Sequence, residues 1–427
     1  MTTMRTFIIV WVGQLVSTIG SYMTEFALTL WAWEVTGSAT ALALVGFFSR
    51  LPRIPITLIA GIIVDRFNRK YLMILADAIA VLSTVGIGIL YLTDSLQIWH
   101  IYLSASVNGG FGQIQSLAHQ TSISLMVPQQ HYTRANSMNS AVHYGSAIFG
   151  PALAGILYPL IGLLGILWLD LLTFGVAIST LLFVEIPQSL PQKAAEVETL
   201  FARLTFGFRE VWRQPSLSVL LLINGLFLFF HDLGGAIYDP MILARTNGSA
   251  AVLASIGAAA GIGGVTGAIL LSAWGGPKRR VTGMLAGFIG AGISKTVFGL
   301  GRLPLVWIPA QVCSSLNFPL IGSSKTAIWM GKIAPAKQGR VFAANALVGQ
   351  VLSAIATLMA GPLSDRVFEP MMQSNTPFAS LFSPIIGTGS GAGIALLYVI
   401  TSIGLLFTGV AGFAIPHLQK MESSEAK

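Results

Sequence analysis

The chain has 427 residues, of which 54% are hydrophobic and only 9% are charged, and it carries a formal net charge of +8. Soluble globular domains carry about 25% charged residues, so the composition excludes a soluble protein and predicts an integral membrane protein. The basic excess does not indicate nucleic-acid binding, because the lysines and arginines lie in loops between apolar runs rather than on one soluble face.

Apolar segments long enough to cross a bilayer follow one another along the whole chain. A hydrocarbon core about 30 Å thick requires about 20 helical residues. We therefore expect an all-α membrane protein with twelve transmembrane helices. They are placed at 7–33, 41–64, 71–92, 99–126, 135–160, 162–184, 216–238, 250–273, 281–300, 304–328, 341–364 and 391–415. The first segment is too long for the core of a signal peptide and is expected to be retained.

One long gap divides the segments into two sets of six. It is rich in Pro, Gln, Glu and Lys, and its last part, 201–212, is basic and amphipathic. Such a stretch is expected to lie along the inner membrane surface. The predicted organisation is an N-terminal six-helix bundle at 1–184, a cytoplasmic linker with an amphipathic helix at 185–215, a C-terminal six-helix bundle at 216–415 and a cytoplasmic tail at 416–427.

The distribution of basic residues predicts the orientation in the membrane. With the N-terminus placed inside, 17 of the 24 lysines and arginines lie in inner loops and termini, four lie within segments, and three (Arg245, Arg302 and Arg366) lie outside. Positive charge is enriched on the cytoplasmic side of membrane proteins. We expect a multi-pass protein of the cell inner (plasma) membrane with both termini in the cytoplasm.

The two halves repeat the same landmarks at an offset of 206 to 210 residues. Pro128 and Arg134 correspond to Pro335 and Arg340, and Arg69-Lys70 corresponds to Arg279-Arg280. Two pseudo-symmetric six-helix bundles are therefore expected.

A short charged loop joins the second and third segments. It contains Gly61, Asp65, Arg66, Arg69 and Lys70 in the pattern Gly-x-x-x-Asp-Arg-x-x-Arg-Lys. This pattern resembles the loop between helices 2 and 3 of the major facilitator superfamily, whose fold and substrate site between two halves the resemblance then implies. Asp65 can pair with Arg69 or accept N–H groups from the next helix, which makes the loop a candidate cytoplasmic gate. The alternative is that its basic residues only keep the loop inside.

Glycine-rich motifs indicate a branch of that superfamily. The fifth segment contains Gly145, Gly150, Pro151 and Gly155, which resemble a glycine-proline motif of exporters. The stretches 11–21 and 360–370 resemble the exporter group of macrolide efflux and enterobactin secretion proteins. The alternative for any one glycine is close helix packing alone.

Charges inside apolar segments mark the candidate proton and substrate site. Glu25 and Asp232 are 207 residues apart, the repeat offset, and the resemblance implies that both segments line the cavity. Arg50, Arg53 and Lys295 are buried cations that require partners, and Glu25 is the expected partner of the arginines. The alternative is a set of salt bridges near the outer surface.

Nothing in the sequence indicates an enzyme, a cofactor or a metal site. The chain lacks a Walker motif, and Cys313 is the only cysteine. The fourth segment lacks the arginine that many proton-driven relatives carry, so that coupling mechanism does not transfer.

The expected function is export of an organic solute by alternating access, driven by proton antiport. The expected partners are an amphiphilic small molecule of the drug, macrolide or siderophore class, protons and the lipid bilayer, with the protein acting as a monomer. The alternatives are an uptake transporter of the same fold and a non-transporting membrane scaffold or receptor. The lack of a sizeable soluble domain and the buried charges disfavour the last of these.

Overall fold

The computed structural model describes residues 4–184, 186, 200–373 and 377–423. The side chains of some residues within these ranges, including Asp65, lie outside the described part, as do residues 185 and 187–199 of the predicted linker. The protein is all-α and separates into two compact units. Unit 1 comprises Met1–Gly37 and Leu44–Glu196, and unit 2 comprises Ser38–Ala43 and Val197–Lys427.

The first half of the chain forms long helices with short connections. They are α1 (Met4–Thr36), α2 (Ala39–Arg50), α3 (Arg53–Arg66), α4 (Arg69–Leu92), α5 (Ile98–Met126) and α6 (Tyr132–Phe183). The predicted single segment at 41–64 is thus divided into α2 and α3.

Helix α6 is 52 residues long and consists of two arms that meet at Gly162. Gly162 has φ 63° and ψ −173°, a backbone conformation that is available to glycine and strained for other residues. The contacts of α1 show that the arms run in opposite directions. Trp11 bonds the carbonyl of Met138 on the first arm, whereas Gly13 packs against Thr180 near the end of the second. The arms match the predicted segments 135–160 and 162–184.

The second half of the chain supplies the remaining helices. They are α7 (Leu200–Arg213), α8 (Pro215–Arg245), α9 (Ala250–Trp274), α10 (Arg280–Leu300), α11 (Pro304–Lys332), α12 (Pro335–Leu363), α13 (Glu369–Gln373), α14 (Pro377–Ile386), α15 (Ala392–Ala414) and α16 (Pro416–Ser423). A π-helix, Ser364–Phe368, joins α12 to α13.

Helix α7, which lies within the predicted linker, is fixed to the start of α12. Glu210 forms a salt bridge with Lys337, with 2.9 Å between Oε1 and Nζ. The guanidinium of Arg340 lies 4.3 Å from the ring centre of Phe206. Gly207 faces the main-chain carbonyl of Arg340 so closely that a side chain there would overlap it. The amphipathic helix is therefore an integral part of unit 2.

Ten helices within the described residues are long and apolar enough to cross a membrane. The count differs from the predicted twelve for two reasons. The two arms of α6 are counted together, and α5, although 29 residues long, is not among the ten. The twelve-helix count stays a prediction.

Candidate functional site

A proline breaks the second membrane segment. Helix α2 ends at Arg50 and α3 begins at Arg53, with Leu51 and Pro52 between them. Proline has no N–H group and removes the hydrogen bond to the carbonyl four residues earlier, which here belongs to Phe48. The interruption is confined to Leu51 and Pro52 within one apolar segment, and Pro52 keeps right-handed helical φ and ψ. It places the two arginines at the facing ends of α2 and α3.

Helix α5 compensates for the missing hydrogen bond. The hydroxyl of Ser106 donates to the freed carbonyl of Phe48 at 3.1 Å. The ring of Phe48 also stacks on Tyr102 of α5, with 5.2 Å between the ring centres. Irregular backbone at membrane depth persists where neighbouring helices satisfy its polar groups, so α5 maintains the break.

Two glycines allow α5 to approach this closely. A side chain at Gly109 would overlap the carbonyl of Ser49, and one at Gly110 would lie 2.8 Å from Ile56 and 3.5 Å from Pro52. The Gly109-Gly110 pair is thus fitted to the break between α2 and α3.

The break carries a cluster of ionisable groups. The carboxylate of Glu25 on α1 interacts electrostatically with Arg53 and, less strongly, with Arg50. Tyr22, one turn earlier, lies in the field of both Glu25 and Arg53. Glu25 and Arg53 are exposed in this structure and Arg50 is partly buried. The structure therefore brings together three of the predicted residues on an accessible face of unit 1.

The charge balance of this cluster depends on one proton. With Glu25 ionised, the two arginines and the carboxylate carry a net charge of +1, and protonation of Glu25 raises it to +2. Nearby like charges repel and favour separation. The carboxylate of Glu25 thus offsets the repulsion between the two arginines.

The predicted exporter motif is adjacent to this cluster. A side chain at Gly150 on α6 would overlap the Cβ atom of Tyr22, so α1 and α6 meet there in close contact. Pro151 follows within the helix, and Gly155 is buried. Gly145, in contrast, has open space around it. Gly150 is therefore the motif glycine for which the structure shows a packing requirement. It packs against Tyr22, which lies one helical turn before Glu25.

Unit 2 contains a second ionisable cluster, around Lys295. This side chain is 7% exposed, and its Nζ donates to the hydroxyl of Tyr398 at 3.4 Å. It also interacts electrostatically with Asp232 on α8. Sequence reasoning left Lys295 without a partner, because Tyr398 lies in an apolar segment more than 100 residues away and nothing in that segment marks it.

The predicted gate residues serve two kinds of role in the structure. Arg69 is buried, and Lys70 donates to the carbonyls of Leu182 at 3.1 Å and Val184 at 2.8 Å, at the end of α6. A cation at a helix C-terminus is favourable. Gly61 and Arg66 are exposed, and Gly61 has open space around it. The side chain of Asp65 lies outside the described residues, so the gate stays a prediction.

Among the described residues, no group of three or more His, Cys, Asp or Glu side chains is arranged to hold a metal ion.

Comparisons with known proteins agree with this architecture. The family model described as the Major Facilitator Superfamily matches residues 10–357. The chain is 26% identical over 366 residues to macrolide efflux protein A of Streptococcus pyogenes, covering 84% of this chain and 90% of that protein. It is 23% identical over 412 residues to the multidrug efflux pump Tap of Mycolicibacterium fortuitum, covering 94% of each. A crystal structure of the nucleoside transporter NupG matches with a TM-score of 0.70 and 13% identity, covering 96% of this chain and 100% of NupG.

Proposed function

The chain belongs to the Major Facilitator Superfamily, and we propose that it is a secondary active exporter of amphiphilic organic solutes. Members of this family are transporters rather than enzymes, and the protein is a multi-pass membrane protein. The observation that carries the proposal is the exposed Glu25–Arg53–Arg50 cluster at a broken helix. Such breaks form binding and coupling sites in transporters because they leave polar groups inside the membrane.

The direction of transport is proposed from the relatives. Macrolide efflux protein A and Tap are both named for efflux, and both match most of this chain. The substrate class is therefore proposed to be an amphiphilic drug, macrolide or siderophore. The segments that the family resemblance assigns to the cavity are largely apolar and carry few charges. This suits molecules of this kind, since apolar walls bind the body of a ligand and charges orient it.

Protons are the proposed coupling ion, with Glu25 as the carrier. The fourth segment contributes no arginine or lysine, and the carboxylates of the first and seventh segments, Glu25 and Asp232, are the best candidates. A carboxylate that alternates between wet and dry surroundings changes its proton affinity. Asp232 is proposed to contact substrate, with Lys295 as its counter-ion.

We further propose twelve transmembrane helices in two six-helix bundles, a monomeric state and placement in the inner (plasma) membrane with both termini in the cytoplasm. The support is the segment pattern, the repeat offset and the bias of basic residues. Three arginines, Arg245, Arg302 and Arg366, lie on the proposed outer side. They do not weaken the proposed orientation, since two of them have a structural role at the end of a helix. Arg245 and Arg302 donate to the carbonyls of Ile386 and Ile385 at the end of α14.

The proposal is tested by transport in proteoliposomes. The purified protein is reconstituted with a radiolabelled macrolide, and movement of the label is followed with and without an imposed pH gradient. Proton-driven export requires accumulation on the side that corresponds to the cell exterior, and only with the gradient. Gradient-independent movement would remove the antiport assignment.

Uptake by the same fold is the second candidate function. It is favoured by the fold shared with NupG, a nucleoside transporter. Deleting the gene distinguishes the two: loss of an exporter raises intracellular substrate, and loss of an uptake system lowers it.

A further inference from the structure

Two carboxylates at the end of α12 have no place in the mechanism proposed above. Asp365 and Glu369 lie four residues apart, in and just after the π-helix Ser364–Phe368. They belong to the motif at 360–370 that resembles the exporter group, and sequence reasoning gave neither residue a role. Both are partly buried. Each carboxylate binds the N-terminus of a different helix.

Asp365 caps the start of α2. Its Oδ1 accepts from the main-chain N–H of Ala39 at 3.1 Å, and its Oδ2 accepts from the N–H of Thr40 at 2.8 Å and the hydroxyl of Ser38 at 2.6 Å. The same Ser38 hydroxyl oxygen accepts from the N–H of Ala41 at 3.2 Å. The first N–H groups of a helix have no partner within it, and here a residue 325 positions away supplies partners and a favourable negative charge.

Glu369 caps the start of α15 in the same way. Its Oε1 accepts from the N–H of Gly391 at 2.7 Å, and its Oε2 accepts from those of Gly393 at 2.9 Å and Ile394 at 3.2 Å. The two caps have the same chemistry and come from neighbouring turns. They form a pair of carboxylate caps on different helices, in which Asp365 also accepts from the hydroxyl of Ser38 and Glu369 also accepts from the side-chain amide of Gln373.

Close backbone contact accompanies both caps. A side chain at Gly361 would overlap the Cα of Thr40, and one at Gly393 would overlap the main chain of Phe368 and Glu369. These glycines allow the end of α12 to lie directly against the starts of α2 and α15. The carboxylates therefore reach their N–H groups across a short gap.

The two capped helices differ in the compact unit to which their residues belong. Helix α15 lies wholly in unit 2, together with Glu369. The segment Ser38–Ala43 also packs with unit 2, yet the chain before it, up to Gly37, and after it, from Leu44, packs with unit 1. Asp365 therefore binds a six-residue segment that is covalently joined to unit 1 at both ends.

We propose that the Asp365 cap is a breakable latch that holds Ser38–Ala43 on unit 2 and opens during the transport cycle. The proposal rests on the alternating access proposed above. A hydrogen bond from a backbone N–H group to a carboxylate is stronger than one between neutral groups. A whole helix cap nevertheless shifts the equilibrium between the capped and uncapped states by only about tenfold. The cap is thus strong enough to favour one conformation and weak enough to be released. Glu369 is a static cap by the same reasoning, because nothing in α15 has to leave unit 2.

The test compares Asp365→Asn with Glu369→Gln. Both substitutions keep the size of the side chain and remove the charge. Cys313 is first replaced by serine, and the buried Ala43, which is 2% exposed, is replaced by cysteine as a reporter. The purified protein in lipid nanodiscs is treated with a membrane-impermeant maleimide, and the labelling rate is measured. We expect Asp365→Asn to label about tenfold faster than the parent, and Glu369→Gln to label at the parent rate.

An unchanged labelling rate in Asp365→Asn would overturn the latch. An equal increase in both variants would also overturn it, because it would show general loosening of unit 2. Should Asp365→Asn fail to give a monodisperse protein, Ser38→Ala removes the bond from the Ser38 hydroxyl to Asp365 and the bond from the Ala41 N–H to that hydroxyl, and keeps the charge of Asp365. It must accelerate labelling to a smaller extent. The measurement requires no substrate, so a failure of the export assay leaves this comparison intact, and a failure here leaves the export proposal intact.

Discussion

Arg69 and Arg280 make the same hydrogen bond in the two units, although the repeat offset of 210 residues pairs Arg69 with Arg279. Each is the first residue of a helix, α4 or α10, and each donates from Nη1 to a carbonyl of the following long helix. Arg69 bonds Thr121 at 3.3 Å and Arg280 bonds Ala327 at 3.4 Å. In both cases the acceptor lies five residues before the end of its helix. The guanidinium group thus lies near the negative end of a neighbouring helix dipole.

This correspondence gives the basic residues of the predicted gate loop a structural role besides orientation. Arg69 and Lys70 are held on carbonyls, which leaves Asp65 as the residue of the loop on which the gate prediction depends. We expect Asp65→Asn to insert normally, since the apolar segments determine insertion, and to transport more slowly. Membrane expression and export are measured together. Full export by a well-expressed Asp65→Asn protein would leave only the topological role.

Much of the fold follows from the sequence because the membrane imposes it. Each span must be apolar and helical, so the segments, their division into two sets and the turn near Gly162 could be placed by reading along the chain. The break at Pro52 could not. Membrane helices tolerate proline, so Pro52 alone does not distinguish a kink from an interruption.

The candidate site was only partly predictable for a related reason. Burial costs identify Glu25, Arg50, Arg53, Asp232 and Lys295 as residues that require partners. They do not identify uncharged partners. Ser106 and Tyr398 are polar groups of ordinary residue types, and their contacts depend on helix packing that hydropathy does not record.

The bond between Ser106 and Phe48 predicts a specific energetic coupling with Pro52. Ser106→Ala leaves the Phe48 carbonyl without a donor and should lower the free energy of unfolding by about 1–2 kcal/mol. In Pro52→Ala, residue 52 has its own N–H for that carbonyl, so Ser106→Ala should then cost less than about 0.5 kcal/mol. A double-mutant cycle by thermal unfolding in detergent measures the difference. Equal costs in both backgrounds would show that the hydroxyl does not serve the break.

The tight contact at Gly150 predicts a contrast between two glycines of the same motif. Gly150→Ala introduces a methyl group that overlaps Tyr22 and should destabilise the protein by about 1–3 kcal/mol. Gly145→Ala has open space and should be neutral or stabilising by about 0.4–1 kcal/mol, since alanine restricts the unfolded chain. Thermal stability of the two variants, with export measured beside it, is the assay. Similar behaviour of the two would reduce the motif to general helix flexibility.

The pairing of Lys295 with Asp232 predicts a rescue. Lys295→Met removes a cation that interacts electrostatically with Asp232 and should lower the thermal stability, because a partly buried carboxylate is less favourable without that charge nearby. Adding Asp232→Asn removes the carboxylate charge and should restore most of the stability. Export should stay low in the double variant if Asp232 contacts substrate. A double variant that is no more stable than Lys295→Met would show that the two charges are not energetically coupled.

The last prediction concerns the proton carrier. Glu25→Gln retains the size of the side chain but fixes its charge at zero, so the cluster with Arg50 and Arg53 stays at +2 and no longer responds to a proton. Concentrative export in proteoliposomes should then be lost, whereas exchange of substrate down its gradient continues, because the binding surface is unchanged. The matched control is Glu34→Gln, a glutamate on the same helix whose carboxylate accepts from the hydroxyl of Tyr158 at 3.0 Å and lies outside the cluster. It should keep concentrative export. If Glu25→Gln still accumulates substrate against its gradient at the wild-type rate, Glu25 does not carry the proton, and its role reduces to neutralising the two arginines at the break.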